Sequence, residues 1–431
     1  MRNLLLICLL AMWAGGQAAQ AAINIPSDGS DGPLIITSNT VIDLSQAITG
    51  NWNDPVNGVN VGKGIYDASK WAVVFKYSSV SIQGGAIVTF INHPSHAPVV
   101  WLVSNDVQID GIVSLNGQDS VPTPGLAEPG PGGFRGGMGH FAFGAFTAAG
   151  FGPGGGRGRD YYYRGEGGRY GTIGGFDPAS GTSSAPPYGN PSLIPLIGGS
   201  GGGGSADNSP SYVNYSGSGG GGAILIACAL TFTLNGGILC NGGGASVSAT
   251  PGGGSGGGIR VVAESLLGAG RLEALGGRSN QGKCDGGLGR IRIESVNTNS
   301  SLTYIVPDPS VLRLPSAATP PIWMPDGGPA VIIESINGLP APADPRASFG
   351  AVGPDIVLPQ LTNTTVKILT TNVEPASVVS VRATPRADAS YTEANAVVET
   401  ILNADPQVIR WTALLPVKNG YAAMQVHVKR P

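Results

Sequence analysis

The chain carries few charged residues for its length. Asp, Glu, Lys and Arg make up 12% of its 431 residues, against about 25% in ordinary domains, and the formal net charge is −3. A nucleic-acid-binding protein usually has a clear basic excess, and a disordered tail has high charge or few apolar residues. Because 41% of the residues are hydrophobic, we expect a folded protein that binds no nucleic acid.

Cysteine is also scarce, with four residues in the whole chain. Cys8 lies in an N-terminal apolar run, which leaves Cys228, Cys240 and Cys284. Three cysteines allow at most one internal disulfide, so the chain is no disulfide-stapled scaffold. Cys228 alternates with apolar residues, and we interpret it as a buried free thiol.

Recognisable catalytic and metal-binding motifs are missing. The sequence has no G-x-S-x-G and no phosphate-binding Walker loop. His93 and His96 are separated by two residues, but no Cys, Asp or Glu stands near them at metal-ligand spacing, so neither a metal nor a cofactor is predicted. The carboxylates of the glycine-rich part are scattered: Asp106, Asp110, Asp119, Glu264, Glu273, Asp285 and Glu294. We interpret Asp110 as a turn residue, and Glu264 and Glu294 as members of an exposed charge ladder with Arg260 and Arg290.

The N-terminus has the pattern of a secretory signal peptide. Arg2 precedes an apolar run over residues 4–13, and Ala19 and Ala21 fit the small-residue cleavage rule. We expect residues 1–21 to be removed and the mature protein to be secreted or held at the cell surface. No other apolar stretch approaches the length of a membrane span, so no span is predicted.

Glycine is abundant, with 70 residues against a usual share of about 7%. Four segments repeat one pattern, an aliphatic strand that turns at glycine and continues into a second short strand: SIQGGAIVTF from Ser81, QIDGIVSLNG from Gln108, TLNGGILCNG from Thr233 and LLGAGRLEALGG from Leu266. Short strands with glycine turns at such spacing are typical of a β-solenoid, whose coils bury a continuous core by stacking. We expect glycine to supply a positive φ at each corner, and Asn116 and Asn241 to be turn residues that can also bond from coil to coil.

A second unit precedes two of these turns. GGGGAILIACALTFTL from Gly219 matches GGGSGGGIRVVAESLL from Gly252, and aligning Ile226-Ala227 with Val262-Ala263 gives an offset of 36 residues. GGLGRIRIES from Gly286 is a third copy, with Arg290 under Arg260 and Glu294 under Glu264. Alternation predicts a strand with one buried face, in which Ile226, Phe232 and Leu234 point inward and Thr231 and Thr233 point outward. This series resembles exported bacterial glycine-rich repeat proteins of the parallel β-helix type, a group of unassigned function. The resemblance implies a surface or extracellular setting and no catalytic residues.

The predicted fold is therefore all-β. It comprises an irregular glycine-rich parallel β-helix (β-solenoid) over 22–305 with a large Gly/aromatic-rich insertion at 118–222, a Pro-rich linker at 306–329, and an immunoglobulin-like β-sandwich at 330–431. Seven strand-like runs, AVIIESI, DIVL, TVKILT, SVVSVRATP, NAVVETIL, QVIRWTALL and YAAMQVHVK, support the sandwich. Trp411 is its predicted core aromatic.

The insertion supplies the candidate ligand-binding residues. It contains 33 of the 70 glycines, six of the ten Phe and seven of the twelve Tyr, so we expect it to pack as long loops against the solenoid, with a flexible segment as the alternative. Aromatic rings can stack on sugars, and the planar guanidinium of arginine can bind a carboxylate through two N–H groups. The predicted set is Arg157, Arg159, Tyr161, Tyr162, Tyr163, Arg164, Arg169 and Tyr170, and the alternative is that these residues pack the insertion in place.

Two functions follow from these features. The first is an exported structural or adhesive protein of the cell surface or extracellular matrix, with a surface polysaccharide or another surface protein as partner. The alternative is a carbohydrate-active enzyme, a polysaccharide lyase or hydrolase on the same β-helix scaffold. A groove with two or more carboxylates from successive coils would favour the enzyme.

Overall fold

The structure is a computed structural model of the whole chain. It describes residues 22–54, 62–139, 147–159, 164–176, 186–205, 214–245, 250–280, 282–298, 300–345, 353–360 and 362–431. The predicted signal peptide at 1–21 and the predicted ligand residues Tyr161, Tyr162 and Tyr163 lie outside these ranges. Strands account for 39% of the structure and helix for 1%, so the all-β prediction is confirmed. Among the described residues, no helix has the length and apolar character needed to cross a membrane.

Two sheets of mostly parallel strands occupy the first three quarters of the described chain. Their strands are Pro33–Ile36 (β1), Thr40–Asp43 (β2), Ile48–Thr49 (β3), Ile65–Asp67 (β4), Ala72–Tyr77 (β5), Ser79–Ile82 (β6), Ile87–Ile91 (β7), Val99–Val103 (β8), Val107–Ile109 (β9), Ile112–Ser114 (β10), Ala223–Leu234 (β11), Gly237–Leu239 (β12), Gly258–Leu267 (β13), Arg271–Glu273 (β14), Arg290–Thr298 (β15), Tyr304–Val306 (β16) and Ser310–Arg313 (β17). A short 3₁₀-helix spans Leu44–Gln46.

Successive strands of each sheet stack in register along the chain. The larger sheet has the order β1-β6-β9-β11-β8-β5-β4-β3 and continues from β11 through β13 and β15 to β17. The smaller sheet has the order β16-β14-β12-β10-β7-β2, and all its pairs are parallel. The single long strand β11 pairs with β8 through its first half and with β9 through its second half. At the end of the larger sheet, β17 pairs in parallel with β15.

The long strand β11 shows how the sequence produces the core. Ile226, Phe232 and Leu234 are fully buried, whereas Thr231 and Thr233 are half-buried, so the predicted alternation is confirmed. The expectation of one buried face is wrong for the first half of the strand, because Leu225 and Ala227 on the opposite face are also buried. That face packs against a second apolar cluster, which includes residues from the N-terminal segment 22–27 and from the segment 314–323.

The predicted alignment of the repeat is off by one or two positions. Ile226 pairs with Val261, an offset of 35 rather than 36 residues, and the offset shortens after an irregularity between Cys228 and Thr231. Arg260 pairs with Arg292 rather than with Arg290. The predicted alignment matched Ile226-Ala227 to Val262-Ala263 by residue type, whereas the register of the structure pairs Ala227 with Val262.

Glycine at the turns serves two different purposes. Gly85 and Gly268 have φ values of +87° and +99°, as predicted. Gly111 and Gly236 are not among the positive-φ residues. A Cβ on Gly236 would lie 1.8 Å from the carbonyl oxygen of Gly111, so glycine is needed there for the close approach of stacked turns. The prediction of a positive φ at each corner is therefore wrong for two of the four turns.

Two asparagines form part of a side-chain ladder between stacked turns. Asn116 Oδ1 accepts a hydrogen bond from the backbone N–H of Asn241 at 2.8 Å, and Asn241 Oδ1 accepts one from Leu275 at 2.8 Å. Neither asparagine has a positive φ. Both side chains therefore connect one turn to the next.

The glycine-rich insertion packs into the same body as the sheets. We call the described residues of 118–222, 240–257 and 274–289 the glycine block. Every third residue of the segment 198–205 donates to one neighbouring segment, in the backbone pairs Gly199 to Gly221, Gly202 to Ser218 and Ser205 to Tyr215. The residues between them donate to other segments, Gly201 to Phe151 and Gly203 to Glu166.

The same period recurs on the neighbouring segment 216–222. Its residues donate to the stretch 115–121 in the pairs Ser216 to Val121, Gly219 to Gln118 and Gly222 to Leu115. A backbone with three residues per turn and no hydrogen bonds within the segment is polyproline II geometry. The N–H groups that such a helix leaves unpaired are satisfied here by adjacent segments, as buried backbone requires. The segments 198–205 and 216–222 thus have the hydrogen-bonding pattern of polyproline II helices packed side by side, which the prediction of long loops did not anticipate.

The C-terminal quarter consists of two antiparallel sheets around a core of its own. Its strands are Ala330–Ile336 (β18), Leu339–Pro340 (β19), Asn363–Thr371 (β20), Val378–Pro385 (β21), Thr392–Asn395 (β22), Val397–Ala404 (β23), Gln407–Pro416 (β24) and Ala422–Lys429 (β25). One sheet has the order β19-β18-β20-β24-β23 and the other β22-β21-β25. Trp411 is 2% exposed within the core, as predicted. The predicted run DIVL at 355–358 is not a strand.

Candidate ligand-binding sites

Three of the predicted ligand residues keep partial exposure. Arg157, Arg159 and Arg164 are half-buried, and they flank the positions of Tyr161 to Tyr163. Arg159 donates to the carboxylate of the buried Glu166 at 2.5 Å. The guanidinium of Arg157 lies 5.6 Å from the ring centroid of Tyr391 in the C-terminal sheets. Arg157 therefore lies where the glycine block meets the C-terminal part.

Arg169 and Tyr170, also in the predicted set, are completely buried. Arg169 donates to Glu166 at 3.0 Å, and burial lowers the pKa of its guanidinium, against the opposing effect of Glu166. The ring of Tyr170 lies 4.7 Å from that of Tyr188, and desolvation raises the pKa of its hydroxyl. Neither side chain is accessible in the structure, which favours the packing alternative for these two residues.

The C-terminal sheets contact the glycine block through one buried arginine. Arg382 donates to the carbonyl oxygen of Pro153 at 2.6 Å, and its guanidinium lies 3.9 Å from the ring centroid of Tyr391. Two backbone bonds flank this contact, from Ala149 to Asp388 and from Gly158 to Ala389. The segment around Arg157 is therefore held in place by backbone hydrogen bonds on each side of the Arg382 contact.

The scattered carboxylates do not converge on a common point. Asp106 and Asp119 accept backbone N–H groups, Asp110 accepts from Asn235, and Asp285 accepts from Ser279. The bonds of Asp110, Asp119 and Asp285 lie in turns and loops, which agrees with the interpretation of Asp110, whereas Asp106 bonds to Thr231 within β11. Groups of three or more His, Cys, Asp or Glu that could hold a metal ion are absent from the described residues.

Three members of the predicted exposed charge ladder, Arg260, Glu264 and Glu294, are instead buried, and Arg290 is half-buried. Arg260 is 1% exposed and Glu294 2% exposed, and their side chains pair at 3.0 Å. Arg260 also donates to the carbonyl oxygens of Pro321 and Ile322, so the pair anchors the segment that covers the outer face of the larger sheet. Burial lowers the pKa of Arg260, with Glu294 opposing the shift. The prediction failed because the covering segment lies about 60 residues further along the chain.

All three cysteines of the expected mature chain are buried, and Cys228 and Cys240 are free thiols. Desolvation raises the pKa of the Cys228 and Cys240 thiols. A thiol whose pKa is raised holds little thiolate near neutral pH, so neither group has the reactivity of a nucleophile. The interpretation of Cys228 as a buried free thiol is confirmed.

A polar cavity lies where β7 and β10 end and the glycine block begins. Its volume is about 500 Å³, and it is lined by Phe90, Ile91, Asn92, His93, Pro94, His96, Asn116, Gln118, Glu128, Pro129 and Arg135. Ligand cavities are typically about 300 to 1,000 Å³. We call it the turn cavity, because the turn 92–96 forms one wall.

The ionisable groups of the turn cavity are held in a fixed arrangement. Arg135 Nε donates to both carboxylate oxygens of Glu128, at 2.8 and 2.9 Å. His96 Nε2 lies 4.0 Å from the same carboxylate. Burial, with Arg135 and His93 as further causes, lowers the pKa of His96 to about 3, so its ring is neutral near neutral pH. The His93–His96 pair was noticed in the sequence, but Glu128 and Arg135 come from the insertion, and no local spacing connects them.

Comparison with known protein families, curated proteins and solved structures finds no match for this chain. The fold and the site geometry therefore carry the functional argument by themselves.

Proposed function

We propose that the protein is an exported structural or adhesive protein of the cell surface or extracellular matrix. The observation that carries this proposal is the packing of the glycine block. Its segments bond to one another, to the parallel sheets and to the C-terminal sheets, so the insertion serves as rigid scaffold. Export rests on the N-terminal pattern alone.

We propose further that the two parallel sheets belong to one irregular parallel β-helix and that the C-terminal sheets form an immunoglobulin-like sandwich. The first part is supported by the in-register parallel pairing of β11, β13 and β15 and by the equivalent series β12, β14 and β16. The second is supported by two antiparallel sheets that enclose Trp411. Stacked coils of this kind suit a stalk or spacer.

The adhesive surface in this proposal is the patch around Arg157, Arg159 and Arg164. Arginine forks bind carboxylates bidentately, and aromatic rings stack on the C–H faces of sugars. A uronic-acid polysaccharide fits both features. Asp110, Asp119 and Asp285 are engaged in turns and loops, and Glu294 is paired with Arg260. This weakens the alternative of a lyase or hydrolase, because these enzymes need convergent carboxylates or a base beside a cation site.

The patch is tested by a triple substitution, Tyr162→Ala, Tyr163→Ala and Arg164→Ala. We expect the wild-type protein to be retained on immobilised uronic-acid polysaccharide and the variant to lose about tenfold or more in affinity, since each lost charge-assisted contact is worth about 1.5 kcal/mol or more. A matched control, Arg313→Ala, removes an exposed arginine on β17. Equal retention of the wild type and the triple variant would contradict the adhesive patch, and so would release of unsaturated or reducing sugars, which belongs to the enzyme alternative.

A further inference from the structure

We propose that the turn cavity is a second binding site, specific for a neutral, hydroxyl-rich ligand such as a neutral hexose unit of a glycan. The cavity lies outside the patch around Arg157, so this site and the proposed adhesive patch are tested by separate substitutions. Three features of the lining support this proposal: its charge, its free hydrogen-bonding groups and its strained turn.

The charge of the lining selects against ions. The one carboxylate, Glu128, is already paired with Arg135, and each cancels the charge of the other. His96 is held neutral by its surroundings. A divalent cation would need several oxygen ligands, which one paired carboxylate does not supply. An anionic sugar would compete with Glu128 for Arg135 and would meet the carboxylate itself, so a neutral ligand fits best.

Two exposed amides present donors of known orientation. Asn116 Oδ1 is occupied by the N–H of Asn241, and Gln118 Oε1 is occupied by the N–H of Glu128 at 3.0 Å. Because an amide has one oxygen and one NH₂, occupation of each oxygen leaves the NH₂ group for a ligand. The orientation thus follows from the hydrogen bonds rather than from an arbitrary choice of flip.

The complementary acceptor and an aromatic face lie in the same cavity. The Glu128 side chain is 45% exposed and can accept hydrogen bonds beyond those from Arg135. The ring of Phe90 is half-buried in the lining. A sugar hydroxyl both donates and accepts, and its neighbouring C–H groups form an apolar face. Two amide donors, one carboxylate acceptor and one ring therefore match a pyranose more closely than a purely apolar molecule.

The turn that walls the cavity is not optimised for stability. His96 has φ +54°, a conformation that non-glycine residues rarely adopt. Asn92 Oδ1 and His96 Nδ1 are buried without a hydrogen-bond partner, although nearly all buried polar groups have one. Asn92 is held in this position by the bond from its Nδ2 to the carbonyl oxygen of Pro129, at 2.8 Å. Strain and unpaired groups that persist in a folded protein cluster at binding sites.

The test uses near-isosteric substitutions that keep the occupied oxygens and remove the donors. Asn116→Asp and Gln118→Glu each replace an NH₂ by an oxygen, and Asn403→Asp on the C-terminal sheet is the matched control. Calorimetry and ligand-observed NMR measure binding of three groups of probes. These are neutral oligosaccharides of glucose, galactose, mannose and N-acetylglucosamine, the corresponding methyl glycosides, and glucuronate oligosaccharides. Equal melting temperatures of the variants and the wild type show that the fold is retained.

We expect at least one neutral probe to bind, and Asn116→Asp and Gln118→Glu to weaken it about tenfold or more while Asn403→Asp does not. Binding of the methyl glycoside alone indicates a single-sugar site, and binding that needs the oligosaccharide indicates a chain; both results support the proposal. If a variant fails to fold, His96→Asn replaces it, since asparagine tolerates a positive φ, with His427→Asn as its control. The proposal is overturned if no neutral probe binds, if only glucuronate oligosaccharides bind, or if the cavity variants bind as tightly as the wild type.

Discussion

Replacing Gly202 with alanine should destabilise the protein by about 3 kcal/mol or more, the upper range for over-packing, because the new methyl group has no room. A Cβ on Gly202 would lie 2.1 Å from the carbonyl oxygen of Gly252 and 2.4 Å from its carbon. Both atoms are backbone of an adjacent segment, so relief requires that the segments separate. Separation would strain the hydrogen bond that Gly202 donates to Ser218 and the contact of Gly217 with Gly202.

The matched control for this substitution is Gly50→Ala. A Cβ on Gly50 would meet its nearest neighbour, Ile65, at an ordinary 3.9 Å. We expect a change within about 0.5 kcal/mol, as for most surface substitutions. Thermal and denaturant unfolding of both variants measures the difference. Equal stability of the two would mean that the segments of the glycine block are not in contact in solution.

Replacing Phe232 with aspartate should abolish folding. Phe232 is fully buried in the core between the sheets, and its partners in register are Val107 and Leu266. Loss of a buried Phe side chain costs about 3 to 5 kcal/mol, and burial of an unpaired carboxylate adds several more. The sum is comparable to the total stability of a typical domain, about 5 to 15 kcal/mol.

The control is the same substitution one position later, Thr233→Asp. Thr233 is half-buried and points to the opposite face of β11, so the carboxylate can reach water. We expect soluble, folded protein from Thr233→Asp and insoluble or unfolded protein from Phe232→Asp, measured by circular dichroism and size-exclusion chromatography. A stable, soluble Phe232→Asp variant would show that the register of β11 is wrong.

Strands could be predicted from the sequence where the side chains alternate between apolar and polar. The second half of β11 is such a place, and Phe232 and Leu234 were predicted correctly. The first half was misjudged, because Leu225 and Ala227 look like the outward positions of a one-sided strand. They are buried by segments at 22–27 and 314–323, and contacts between such distant segments leave no local pattern. The buried pair of Arg260 and Glu294 was misassigned for the same reason.

The glycine block was not predictable from hydrophobic periodicity, since glycine has no side chain that could carry a pattern. Its period of three appears only in the hydrogen-bond partners, such as Gly199 with Gly221 and Gly202 with Ser218. The available signal was the combination of glycine runs with aromatic residues, which indicated packing but not its geometry. The turn cavity was equally hidden, because His96 and Arg135 come from different elements. Within the predicted ligand set, the buried Arg169 resembled the half-buried Arg157 in sequence, and only the fold distinguishes them.

If the glycine-rich insertion is a rigid scaffold, its backbone amides must be protected from solvent exchange. Amide hydrogen exchange of the wild-type protein measures this protection. Amides in stable structure exchange through opening reactions whose free energies approach the global stability, whereas amides in mobile loops exchange almost freely. We expect the backbone amides of peptides covering 198–205 and 216–222 to be protected from exchange to nearly the same degree as those of peptides covering β11 and β13. Exchange of these glycine-rich peptides at the rate of unfolded chain, with β11 and β13 still protected, would contradict it.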